Sequence, residues 1–383
     1  MNRIENIREW CIAILIYLFL QPYFIWGVYN QLQSILTIAL VALCVTSINV
    51  RYSDVAYKVL LSFIFVWLSF KLNISVVGRL GIMLYSVFFL TSEKLMINSY
   101  NKCIKIFVWT TTISAIVYLL VIVLGVNLPH HTIAPLNTLK DYSYDAYPFL
   151  VVYKGIESFR FFGCFDEPGV IGTICAVILL MRKFNLKQKE NILILIFGII
   201  SFSLFFYIVC MLYILLFAQA KYKILLLSIF IALSLYVSQE SLLYELIFAR
   251  MQFEDGMMVG NNRDIGLDEY WYESFKNSED YWWGLGHRTK EMYNPGGASY
   301  KDRIIEFGAV FFFAYVAAFI MYGIHKLRPS LKNILIYILI ICSVLFQRPF
   351  ITNITYILMI YIPILSLSNE YNKQGNVRLQ NSI

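Results

Sequence analysis

The chain has 383 residues, 59% of them hydrophobic and only 14% charged, with a mean hydropathy of +0.66 and a net charge of +7. A soluble domain is about half apolar and about a quarter charged. The composition therefore excludes a water-soluble globular fold and predicts a polytopic membrane protein. The basic excess lies in short clusters between apolar runs, as topology signals do, and does not point to nucleic acid.

A bilayer core takes about 20 apolar helical residues. The first apolar runs predict spans near 10–27, 33–50, 55–70, 74–91 and 104–126. The first of these lacks a small-residue cleavage site, so no cleavable leader is expected. Arg79 falls about one turn into the fourth span. An ionisable residue there is either a functional group or a side chain that snorkels to the nearby surface. A polar segment, 127–166, follows the fifth span as the first extracytoplasmic loop. Its His130 and His131 read as loop surface.

The stretch FRFFGCFDEPGVIGTICAVILLM, residues 159–181, opens a sixth span near 167–181. Asp166 can cap this helix, with Glu167 and Pro168 in its first turn. Arg160 is then a snorkelling cation. On the other reading the charges form a polar site, where an Arg beside a helix N-terminus binds phosphate or pyrophosphate.

The run 191–219 is long for one span and short for two. Its middle, SFSLFFY, carries Ser201 and Ser203, which can bond backbone groups freed at a break. Two short spans there, with others near 222–238, 304–323, 333–347 and 350–367, give about twelve. Both termini and 18 of the 31 Lys and Arg then lie in the cytoplasm, as the positive-inside rule asks. A single span would place HKLRPSLK outside. The expected fold is an all-α transmembrane bundle, one integral membrane domain over 1–383, with a large extracytoplasmic loop at 239–303.

That loop is too long to be mere connection. It carries Arg250, Arg263, Arg288, Lys290, Lys301 and Arg303, and its acids alternate with Tyr270, Trp271, Tyr272, Tyr281, Trp282 and Trp283. Such a mixture is a solvated loop, an aromatic belt at the membrane interface, or a carbohydrate site. In the last, ring faces stack on sugars and carboxylates accept from hydroxyls. His287 is the loop's one histidine. It is either structural or a base, since imidazole takes up protons near neutral pH. Arg348, in the short outer QRPF turn, lies close to the surface and carries less weight. The seven Cys form no C-x-x-C pair and read as small apolar residues. No Walker loop, zinc pattern, nucleophile elbow or dinucleotide fingerprint is present, so neither metal nor cofactor is expected.

Arg160, Gly163, Phe165 and Pro168 opening a mid-chain span, the broken span pair, and the outer loop with Arg250, Arg263 and a GLG turn leading into ASYKDRIIEFGAV form a pattern. It resembles the Wzy-type O-antigen polymerases and the related O-antigen ligases. The likeness covers the whole chain in layout and is specific only around 160–172 and 263–310. It implies an inner-membrane glycosyltransferase of the GT-C type whose site faces the periplasm. Such an enzyme moves a growing glycan from undecaprenyl pyrophosphate onto a new lipid-linked repeat unit, with membrane lipid, a flippase and a chain-length regulator as partners. The resemblance gives Arg160, Arg250 and Arg263, with Arg79 a further candidate, the task of holding pyrophosphate. Trp271, Trp282 and Trp283 would hold sugar, and His287, Glu167 or Asp166 would serve as base. Where the ligases carry a His ahead of the next span, this chain has Gly297 and Ala298, which favours polymerase over ligase. A flippase, the rival of another class, predicts short loops on both faces.

Overall fold

The structure is a computed structural model that describes residues 3–72, 75–135, 142–154, 159–224, 270–286, 289 and 299–380, with a few isolated positions between 228 and 258. It is mostly helical. In chain order the helices are α1 (Arg3–Leu18), α2 (Tyr29–Val45), α3 (Val55–Lys71), α4 (Val76–Leu84), α5 (Ser86–Leu90) and α6 (Glu93–Tyr118). There follow α7 (Pro168–Met181), α8 (Lys189–Ile200), α9 (Leu204–Phe217), α10 (Asp280–Trp283), α11 (Tyr300–Phe307), α12 (Ala309–Leu327), α13 (Leu331–Gln347) and α14 (Ile354–Gln380). Among the described residues, four stretches are long and apolar enough to cross a membrane: Tyr23–Val45, Tyr52–Lys71, Glu93–Val123 and Ala309–Leu327.

Several helix ends differ from the hydropathy reading, each for a local reason. The first helix stops at Leu18, not near 27. Pro22 forces extended backbone, Gln21 takes φ +60°, and a short 3-10 turn, Tyr23–Val28, follows. The expected span 304–323 is two helices, because Gly308 turns the chain at φ +87° between α11 and α12. A Cβ on Gly308 would lie 2.4 Å from the Trp282 carbonyl oxygen, and one on Gly284 would lie 2.4 Å from the Gly308 nitrogen. The GLG turn is thus a backbone-to-backbone contact that only glycines permit.

The run 191–219 is a helical hairpin. At its base Arg182 donates to Glu190 and Asn191 (both 2.9 Å), while the Tyr213 hydroxyl donates to the Lys183 carbonyl (2.8 Å). Both feet therefore stand at the same end of the bundle. At its tip Phe202 has φ +47°, the Ser201 hydroxyl donates to the Gly198 carbonyl (2.7 Å), and the Ser203 amide donates back to Ser201 Oγ (3.3 Å). The Ser201 hydroxyl thus bonds backbone on both sides of the break, as its position suggested, while Ser203 contributes its backbone amide. The chain leaves α9 at the foot end and reappears at residue 270 at the tip end. The expected span 222–238 lies outside the described residues.

The ends of the bundle differ in character. At one, called here the sheet end, lie the starts of α7 and α14 and the ends of α1, α6, α8 and α13. At the other, buried charges join helices: Lys326 reaches Asp54 (2.6 Å) and Glu93 (2.8 Å), and Lys102 reaches Glu9 (2.6 Å). Segment 127–166, expected to be loop in an all-α chain, holds an antiparallel sheet at the first end. Its strands are β1 (His131–Ile133), β2 (Tyr144–Tyr147) and β3 (Leu150–Tyr153), with Tyr144 opposite Tyr153. Tyr144 and Ala146 alternate with half-exposed neighbours and pack with Trp26, Val151 and Phe162. That period-2 pattern is a strand signal.

Candidate functional site

The stretch 159–169 runs through the protein interior at the sheet end. Phe161, Phe162, Cys164 and Phe165 are buried, and their backbone is tied to several elements. The Phe161 amide donates to the Ile200 carbonyl at the hairpin tip (3.1 Å). The Val151 amide donates to Gly163 (2.9 Å) and the Tyr23 amide to Cys164 (2.8 Å). Tyr118 donates to the Phe159 carbonyl (2.5 Å) and Tyr144 to the Asp166 carbonyl (2.7 Å). Irregular backbone at membrane depth persists only where protein or a water-filled cavity surrounds it, and these bonds are how it is satisfied here.

This stretch delivers its charges to the first turn of α7, a helix buried on nearly every side by α8, α9, α13 and α14. Glu167, not Asp166, is the N-cap residue, with Pro168 at the first helical position. Its side chain makes no capping bond and pairs instead with Arg348, in the turn between α13 and α14. The Arg348 side chain is 6% exposed and the Glu167 side chain 31%. Burial opposes the charge on Arg348, but Glu167, Tyr356 and Asp166 outweigh it and raise its pKa above the usual guanidinium value. Arg348 Nε is buried without a hydrogen-bond partner. Gly169 makes room for the pair: a Cβ there would lie 3.2 Å from Arg348 Nη2 and 3.3 Å from Gln347 Nε2.

Arg160, half-buried, lies on the stretch that leads into α7. The Tyr153 phenol feels both Glu167 and Arg160: burial, Tyr142 and Glu167 push its pKa up, and Arg160 pulls it down. The loop helices adjoin the site through an aromatic step, with Tyr300 of α11 stacked on Phe346 of α13 (5.9 Å between ring centres). Trp282 and Trp283 are 56% and 61% exposed, and the Lys71 ammonium donates to the Trp283 carbonyl (2.6 Å).

Other candidates are placed elsewhere. Trp271 is buried with Phe275, Leu285, Ile304 and Phe312, so its ring is core and not an open sugar platform. Arg79 sits on α4, which packs on α2, α3 and α5, away from the α7 mouth. Asp166 contributes a carbonyl to Tyr144 and is not the cap. Arg250, Arg263 and His287 lie outside the described residues. Arg348 is what the sequence reading undervalued. An Arg held in a six-residue turn between two apolar runs was the available signal. Among the described residues no cluster of His, Cys, Asp and Glu could hold a metal ion.

No protein-family model, curated protein or solved structure matches this chain. Fold and site together define a helical protein with several helices able to cross a membrane, carrying a buried Arg–Glu pair at the mouth of a central helix.

Proposed function

We propose that the chain is a bacterial inner-membrane glycosyltransferase that polymerises oligosaccharide repeat units carried on undecaprenyl pyrophosphate. The observation that carries this reading is the Arg348–Glu167 pair at the opening of α7. A guanidinium beside a helix N-terminus suits a pyrophosphate, which is both the handle and the leaving group of such a donor. Its positive charge stabilises the charge that builds on that group as the sugar–phosphate bond breaks. The exposed Trp282 and Trp283 supply ring faces for sugar on the same side.

Orientation supports the reading. Arg8, Lys102, Arg182, Lys183 and Lys326 gather at the end opposite the sheet, where Lys102 and Arg182 bond across helices. The positive-inside rule puts that end in the cytoplasm and the sheet end in the periplasm.

The test is deletion of the gene followed by a lipopolysaccharide gel. The polymerase reading predicts loss of the ladder with a single capped repeat remaining. Core alone would replace it with the ligase or flippase reading. Arg348→Ala in the restored gene should reproduce the deletion pattern at unchanged protein level.

A further inference from the structure

We propose that Glu167 is an exchangeable counter-ion of Arg348, released by the incoming pyrophosphate to act as the base for the acceptor hydroxyl. The inference rests on the polymerase reading above and adds to it the order of events and the role of Glu167.

Three observations carry it. The pair is asymmetric: the guanidinium is 6% exposed and the carboxylate 31%, so a solute reaching Arg348 from solvent meets Glu167 first. A guanidinium this deep needs an anion beside it. Glu167 supplies one when the site is unliganded, and a phosphate can supply one when it is bound. Arg348 also has spare capacity. Its Nη2 holds Glu167 while Nε is buried without a hydrogen-bond partner, so the guanidinium keeps a donor that Glu167 does not use. Finally, Glu167 does not cap its helix. It occupies the N-cap position with extended backbone (φ −151°, ψ 147°) and makes no capping bond, so no cap of α7 is lost when it leaves Arg348.

The step balances as follows. The acceptor O–H gives its proton to Glu167, and its oxygen forms the new bond to the donor's anomeric carbon. The bond from that carbon to the pyrophosphate oxygen breaks, and its electron pair leaves with the lipid pyrophosphate, held by Arg348. Glu167 later loses its proton to solvent and returns to Arg348 when the leaving group departs.

The test uses the full chain purified in detergent, with farnesyl pyrophosphate as probe and farnesyl monophosphate and inorganic pyrophosphate as controls, read by calorimetry beside the cellular ladder. Glu167→Gln removes the competing anion, so pyrophosphate should bind on the order of tenfold tighter, as expected when a binding-competent state is freed from an internal competitor. The same variant should lose the ladder. Glu167→Asp, which keeps the charge on a shorter arm, guards against misfolding and should lie between wild type and Glu167→Gln in affinity. A structural role for the pair predicts weaker binding in both variants. Wild type that binds probe while Glu167→Gln binds it no tighter overturns the exchange alone. Wild type that binds no probe overturns the polymerase reading and the exchange with it.

Discussion

The charge cluster away from the candidate site gives a sharp stability prediction. Asp54 is 1% exposed, and its Oδ2 lies 2.6 Å from Lys326 Nζ while Oδ1 lies 3.3 Å from His325 Nε2. Lys58 is fully buried, 3.8 Å from Glu93, which also takes Lys326 at 2.8 Å. Two lysines thus face two carboxylates across α3, α6, α12 and the turn before α3. At an effective dielectric of about 20 the Asp54–Lys326 attraction is about 6 kcal/mol gross, and desolvation of both ions cancels much of it. Lys326→Met leaves two carboxylates with one lysine, and an uncompensated buried charge costs about 3–5 kcal/mol. Lys326→Met with Asp54→Asn restores balance, because Lys58 and Glu93 still pair, so most of the loss should return. The assay is heating in detergent followed by size exclusion, comparing the temperatures at which half the monodisperse peak is lost. A single variant as stable as wild type, or a double variant less stable than the single, refutes the reasoning.

Three further outcomes are expected. Gly198→Ala should destabilise by about 1–3 kcal/mol, because its Cβ would lie 2.3 Å from the fully buried Phe206 ring, and Phe206→Leu in the same chain should recover part of that; equal melting of all three would remove this contact from the hairpin. Trp271→Ala should cost about 3–5 kcal/mol as a buried aromatic, whereas Trp282→Ala should leave melting unchanged and shorten the polysaccharide ladder; a stable Trp271→Ala protein would contradict the packing around Phe275 and Leu285. A cysteine at Phe149, in the β2–β3 turn, should react with a membrane-impermeant thiol reagent in spheroplasts, and one at Leu186 only after lysis; the reverse pattern inverts the proposed orientation.

The helical character of the chain was legible because a long apolar run leaves few alternatives. The hairpin was legible in part, since Ser201 and Ser203 marked the break and the Ser201 hydroxyl then bonds its backbone. The sheet was missed although YDAYPFLVVY carries alternation and a Pro-containing turn, because hydropathy windows average a four-residue strand away. Helix ends drifted where backbone conformation decided them: hydropathy does not register that Pro22 extends the chain or that Gly308 turns it. The site was half legible. Glu167 was expected in the first turn of the sixth span or as a base, but its partner lies 181 positions away in sequence, a separation no local pattern encodes.

Glu167 also shows how a local rule and a site can pull against each other. A carboxylate at an N-cap ordinarily bonds the amides of the first turn, a stabilisation of about 1 kcal/mol. Here that bond is absent, and α7 begins with Pro168, whose missing N–H removes one of the donors a cap would serve. The Tyr144 hydroxyl fixes the neighbouring Asp166 carbonyl, so the chain is held at the helix entry without a bond from the cap side chain. Gly169 then lets Arg348 approach the first turn where any larger residue would crowd it. Stability alone would favour a capping Ser or Asp at position 167 and a better helix former at 169. The arrangement forgoes both and holds a carboxylate against a buried guanidinium, a local departure of the kind proteins concentrate at functional sites.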